Sequence, residues 1–385
     1  MTAAFVDRVR SRLAATDLDR DLSQVAREES QLLTDAVVLS ELSAELSAEL
    51  RGAGPLEPLL ALEGVTDVLV NAPEQVWIDR GSGLERASVR FADDAAIRRL
   101  AVRLAGQAHH RLDDAAPWVD AVLNDGTRLH AVLPPLVRHP TISLRVFGRR
   151  ELSLSDLVDR ATMSFEVAEL LTRCVAARMT SIVSGATGAG KTTLLAAMLG
   201  TVGPCERILT IEEAPELQIR HPHVVALLSR PPNAEGRGAV ELRDLVRQAL
   251  RMRADRLVVG EFRGAEIVDL LAALNTGHCG GAATVHANSA SDVPVRLVAL
   301  AALAGMHSAV LTDQAASALD VIVHIARDRD GIRRVEQIAL WSAPDRRTGP
   351  VPVWTRDRGL GPGASVLADQ LAARGHSAAL LGAPP

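Results

Sequence analysis

The chain has 385 residues and a net charge of −5, with 42 basic residues against 47 acidic ones, so no global charge marks it as a nucleic-acid binder. Aromatic residues make up only 2% and tyrosine is absent, which leaves Ala, Leu, Val and Ile to build the core. Three scattered cysteines (Cys174, Cys205, Cys279), an N-terminus that turns charged at Asp7-Arg8, and a longest apolar run of only Leu297 to Met306 argue against a disulfide scaffold, a signal peptide and a membrane span; a soluble cytoplasmic protein that can dock on a membrane protein is expected.

Residues 1–52 read as an N-terminal helical segment. Leu42, Leu46 and Leu50 recur every four residues, giving one apolar stripe, and Gly52-Ala53-Gly54-Pro55 ends it. Residues 53–148 read as an α+β domain with an antiparallel sheet. Strands are expected at 66–71, 75–79 and 87–91, then an amphipathic helix from Asp93 to about Gln107. Asn124-Asp125-Gly126 joins a hairpin of strands at 119–123 and 128–132, and a last strand runs over 141–147. A linker follows around Gly148-Arg149-Arg150-Glu151. From 149 to 345, helices alternate with short apolar strands at Ile182-Val183, Ile208–Ile211, Leu257–Val259 and Gly281–Val285, the pattern of a parallel sheet in an α/β domain. Residues 346–385 are rich in Gly and Pro and read as a loosely ordered tail.

Of the 42 basic residues, 41 are arginine; the single lysine is Lys191. It lies in Gly185-Ala186-Thr187-Gly188-Ala189-Gly190-Lys191-Thr192, which fits the phosphate-loop pattern G-x-x-x-x-G-K-[ST]. A β-rich stretch (Thr180–Ser184) precedes it and a helix former (Thr192–Leu199) follows, the order this loop requires. Codon bias accounts for scarce lysine but not for the position of the survivor. A flexible ammonium can curl over the loop to meet phosphates, where a planar guanidinium prefers a fork geometry. Thr192 is the expected Mg²⁺ ligand.

Phosphoryl transfer also needs a carboxylate that acts on Mg²⁺, often through water, and a group that orients the attacking water. Two apolar strands end in candidates: Arg256–Gly260 before Glu261, and Ile208–Ile211 before Glu212-Glu213. A third cluster, Thr276 to Asn288, flanks a small-residue strand with His278 and His286. His278, Cys279 and His286 are zinc-ligand types, but their spacing matches no usual pair. A polar sensor of the γ-phosphate at the end of another strand fits the neighbouring motifs better.

These boxes in this order resemble the type II/type IV secretion ATPases: Gly185–Thr192, Ile211–Leu217, Val259–Gly264 and His278–Asn288 match that family's Walker A, Asp box, Walker B and His box. Arg230–Gly236, Leu242–Arg253, His110–Asp114, Pro117–Ala121 and Asp125–Arg128 look like the branch serving type IV secretion and tight-adherence (Flp) pili. The resemblance covers roughly residues 50–345. It implies a RecA-like P-loop motor domain with a parallel sheet, preceded by a smaller, sensory-like α+β domain, in a hexameric ring. ATP and Mg²⁺ would be the ligands, held by Gly185, Ala186, Thr187, Gly188, Ala189, Gly190, Lys191, Thr192 and Thr193. Glu212 would polarise the attacking water and Glu261 would stabilise Mg²⁺. His286 would monitor the γ-phosphate, and Arg128 and Arg145 would reach the phosphates as domains close. The implied partners are inner-membrane platform proteins, placing the chain at the inner face of the plasma membrane and implying no direct nucleic acid. Two positions depart from the pattern: Glu213 stands where the Asp box has Asp, and Ala72 where Gly is frequent. A RecA-like nucleic-acid motor and a nucleotide-binding scaffold that switches without turnover are the alternative readings.

Overall fold

A computed structural model describes residues 52–385, apart from Ser82, 147–150, Pro231, 233–236, His278, 342–348, Ala378 and 382–385. The helical segment expected over 1–52 (all but Gly52), most of the linker and His278 therefore lie outside the described residues. The chain divides into two compact units between residues 147 and 148. Among the described residues no helix is long and apolar enough to cross a membrane.

The first unit opens with a short helix α1 (Glu57–Leu60) and builds one antiparallel sheet from β1 (Asp67–Ala72), β2 (Gln75–Asp79), β3 (Leu84–Arg86), β4 (Trp118–Val122), β5 (Arg128–Val132) and β6 (Thr141–Arg145), in the order β3-β2-β1-β6-β5-β4. Inward residues alternate with outward ones: Val68 and Val70, Leu129 and Ala131, and Ile142 and Leu144 are buried. Helix α2 (Asp94–Gln107) covers that face with Ile97, Leu100, Ala101 and Leu104. The Asp93 side chain caps α2 by accepting from the Ala96 N–H at 2.7 Å. The strand expected at 87–91 falls earlier, at Leu84–Arg86, because Asp79 Oδ1 closes the turn on the Gly81 and Gly83 amides (2.6 and 3.2 Å) and pairing resumes at once.

Among its described residues the second unit carries a nine-stranded sheet. Its strands are β7 (Ser181–Gly185), β8 (Ile208–Glu212), β9 (Val224–Leu228), β10 (Arg256–Val259), β11 (Ala282–His286), β12 (Val321–Arg327), β13 (Arg333–Leu340), β14 (Val351–Thr355) and β15 (Gly359–Leu360), in the order β15-β14-β13-β12-β7-β11-β10-β8-β9. Strands β9, β8, β10, β11, β7 and β12 run parallel; β12 to β15 form an antiparallel extension. Strands β7, β8 and β10 are buried at every position, so helices must cover both faces. One face packs on α3 (Leu154–Asp159), α4 (Phe165–Ala176), α5 (Lys191–Leu199) and α10 (Ala364–Ala373). The other packs on α6 (Leu242–Ala249), α7 (Glu266–Leu274), α8 (Val293–Ala302) and α9 (Ser308–Ala318). Adjacent residues divide between the layers: Val183 and Val258 face the first, while Ile182, Leu257 and Val259 face the second.

The stretch beyond 346 departs from the expected loose tail. Strand β14 adds to β13, and α10 buries Leu367 and Leu371 completely in the core. Burying a leucine contributes about 1.5–3 kcal/mol, and Val353, Leu367, Leu371 and Leu381 together tie to the core a segment whose Gly and Pro content suggested otherwise.

Candidate functional site

Four neighbouring parallel strands, β7, β11, β10 and β8, deliver the polar groups to one end of the sheet, the crevice outside the carboxyl ends where α/β folds bind ligands. Gly185 closes β7 and pairs directly with His286, which closes β11. Glu212 closes β8, and Glu261 lies two residues beyond Val259, the last of β10.

Between β7 and α5 the phosphate loop turns through Gly190, whose φ of 95° strains any side chain; a β-carbon there would also lie 2.9 Å from Arg333 Cδ. Lys191 opens α5 and is buried, at 7% exposure. Its Nζ donates to the Ala186 carbonyl at 3.1 Å, and lies 3.2 Å from His286 Nδ1 and 3.8 Å from Glu261 Oε1. Burial lowers the Lys191 pKa, against the opposing pull of the Glu261 and Glu216 carboxylates.

His286 spans the gap to Glu261, with Nε2 2.7 Å from Oε1. An ammonium only donates and a carboxylate only accepts, so Nδ1 accepts and Nε2 carries the proton. Burial, and then the Lys191 charge, lower the His286 pKa and hold the ring neutral.

Glu212 is buried at 4% exposure. Its Oε1 accepts from the backbone N–H groups of Glu216 (3.1 Å) and Leu217 (2.9 Å). Burial nevertheless pushes its pKa up to about 7. Gly260 makes room for it: a β-carbon there would lie 2.8 Å from Glu212 Cγ.

Thr192 Oγ1 is 3.4 Å from Glu216 Oε2. A threonine hydroxyl and the carboxylates of Glu216 and Glu261 around Lys191 are hard oxygen donors, which suit Mg²⁺, an ion bound by one or two carboxylates plus phosphates and water. Glu213, the departure from the Asp-box pattern, receives Arg263 Nη1 at 2.6 Å, while Arg263 Nε donates to Glu261 Oε2 at 2.6 Å.

The N-terminal unit sets Arg128 and Arg145 directly opposite each other on β5 and β6. Like charges in that position repel. Asp120 offsets the first through two bonds (2.9 and 2.6 Å), and Asp67 the second at 2.9 Å.

Several residues at the site went unread in the sequence. Glu216 lay within the Ile211–Leu217 box, and its spacing of four from Glu212 was the available signal. Arg333 donates to the Gly188 carbonyl at 3.0 Å from an antiparallel strand that no motif marked. His324, buried on β12, lies 3.0 Å from Ser184 Oγ just behind the loop.

A phosphate loop on a doubly covered parallel sheet, with carboxylates and a histidine on the adjoining strand ends, defines a RecA-like P-loop protein. The chain belongs to the Type II/IV secretion system protein family, which matches residues 49–345. It is 53% identical over 350 residues to a Mycobacterium tuberculosis protein whose name assigns it to conjugal transfer, a match covering 89% of this chain and 99% of that one. It is 31% identical over 281 residues to the conjugal transfer protein TrbB of Rhizobium radiobacter, covering 71% and 83% of the two chains. The pilus retraction motor PilT with bound ADP shares the fold: TM-score 0.55 at 21% identity, covering 76% of this chain and 84% of that one.

Proposed function

We propose that this chain hydrolyses ATP with Mg²⁺ and that the cycle powers pilus assembly or protein secretion through a membrane platform, in a tight-adherence or type IV-like system. The convergence of Lys191, His286 and Glu261 within 3.8 Å of one another carries this reading. In it, the backbone amides from Gly185 to Thr193, with the start of α5, cradle the phosphates, and Lys191 turns its ammonium onto them. Thr192 and Glu261 would hold Mg²⁺, which would supply charge neutralisation at the phosphates. Glu212 takes a proton from the attacking water; a base poised near neutrality suits that task. His286 senses the γ-phosphate between Lys191 and Glu261. The active form is a homo-oligomer, a hexameric ring, at the cytoplasmic face of the inner membrane.

A second reading, a RecA-like motor for nucleic-acid transfer, draws on the two relatives whose names refer to conjugal transfer. Phosphate release from Mg-ATP by the purified chain, with and without DNA, tests both. Hydrolysis indifferent to DNA favours the secretion motor, and stimulation by DNA favours the second reading. No hydrolysis in either condition would sink both.

A further inference from the structure

We propose that Arg263 is a positioning residue for the Walker B carboxylate, acting within its own subunit, and that Glu213 is its anchor. This rests on the proposed ATPase site and adds to it. The two oxygens of Glu261 are divided: Oε2 receives Arg263 Nε at 2.6 Å, while Oε1 faces His286 Nε2 at 2.7 Å and Lys191 Nζ at 3.8 Å. One oxygen is thus pinned and the other is presented to the nucleotide side. The far end of the guanidinium is held by Glu213 Oε2, 2.6 Å from Nη1. A planar fork can join two carboxylates in this way; a single ammonium cannot do so with the same geometry.

The backbone beneath is equally fixed. Buried Glu266 accepts from the Arg263 and Gly264 amides through Oε1 (2.6 and 2.8 Å). The Phe262 amide donates to the Thr284 carbonyl at 2.9 Å, and the Phe262 side chain is buried. The strut therefore grows from a rigid turn. The side chains of Arg263 and Glu213 are nearly half exposed, at 47% and 44%. Pairs this exposed add little to stability, so their alignment on Glu261 points to orientation of that carboxylate. The longer glutamate at the Asp-box position has a reason here: its carboxylate is the one that meets Arg263.

The test is Mg²⁺-dependent binding of a fluorescent N-methylanthraniloyl-ADP to the full chain. Losing a partner that orients a metal-side carboxylate costs roughly 10–100-fold in metal affinity. Arg263→Ala and Arg263→Gln should raise the Mg²⁺ concentration for half-maximal binding by about that factor, and leave binding in EDTA unchanged. Arg263→Lys should recover part of the loss. Glu213→Gln should act in the same direction and add nothing in the Arg263→Ala background. At a Mg²⁺ concentration that sustains the wild type but not Arg263→Ala, subunits carrying Arg263→Ala, mixed with Lys191→Ala subunits, should not regain hydrolysis. An unaltered Mg²⁺ requirement in Arg263→Ala and Arg263→Gln, or recovery on mixing, would overturn the proposal while leaving the ATPase reading intact. A wild-type chain that binds no nucleotide would overturn both.

Discussion

His286 stands between Lys191 and Glu261, with Nδ1 3.2 Å from the ammonium and Nε2 2.7 Å from the carboxylate. The ring keeps one tautomer only while both partners keep their charges. Removing the lysine charge should therefore be visible on the histidine. Burial is the larger cause of its lowered pKa and Lys191 the next. In Lys191→Met the His286 pKa should rise yet stay below that of an exposed histidine. Titration of the imidazole resonances by NMR measures this, and a His286 pKa indifferent to the substitution would contradict the geometry.

Lys191→Ala should abolish hydrolysis, and Lys191→Arg should restore little. The lysine site is buried and lined by a backbone carbonyl, a histidine and a carboxylate, which leaves a forked guanidinium no matching path. Phosphate-release rates of the two variants decide it; near-normal turnover in both would remove this loop from the active site.

Glu212→Gln should retain nucleotide binding and lose roughly 10²–10⁴-fold in hydrolysis. Because Glu212 holds its proton up to about pH 7, the wild-type rate should climb with pH through that value as the base ionises. The stability sign runs the other way. The folded chain binds this proton more tightly than the unfolded chain, so stability falls as pH rises from the ordinary carboxylate range to about 7. Glu212→Gln should flatten both pH profiles, and its melting temperature should exceed that of the wild type at pH 8. A wild-type rate already on its plateau at pH 5 would remove Glu212 from the role of base.

Gly260→Ala tests the packing of that base. The added methyl meets Glu212 Cγ at 2.8 Å. Overpacking of this kind costs about 1–3 kcal/mol. Hydrolysis should drop much further than thermal stability, because the displaced group is the carboxylate proposed to take the proton of the attacking water. Equal, small losses in both would mean that Glu212 relaxes freely.

If the proposed ring forms and a neighbour supplies an arginine to the phosphates, turnover per subunit should rise with protein concentration. Arg263 is engaged with Glu261 in its own chain, and Arg251 and Arg253, at the end of the arginine-rich stretch Leu242–Arg253, are the remaining arginines to test. Mixing Lys191→Ala subunits with Arg251→Ala or Arg253→Ala subunits should restore part of the activity if one of these reaches across. Concentration-independent turnover by a monomer would end the ring reading.

What the sequence determined by itself is local. The strand–loop–helix around Lys191 and the strands leading to Glu212, Glu261 and His286 were legible because backbone propensity and glycine spacing act over a few residues. The Asn124–Gly126 hairpin and the amphipathic helix starting near Asp93 were legible for the same reason. The tertiary structure decided what depends on partners distant along the chain. Strand order places β11 and β10 between β7 and β8, and only that order brings His286 to Lys191. The sheet edge recruits β14 and α10 from a stretch whose composition suggested a loose tail, because apolar burial outweighed its turn content. Arg263 showed the same limit most directly. Its charge was plain in the sequence, but its partner was not, because an arginine takes whichever carboxylates the fold sets within reach: Glu213 on one strand end and Glu261 on another.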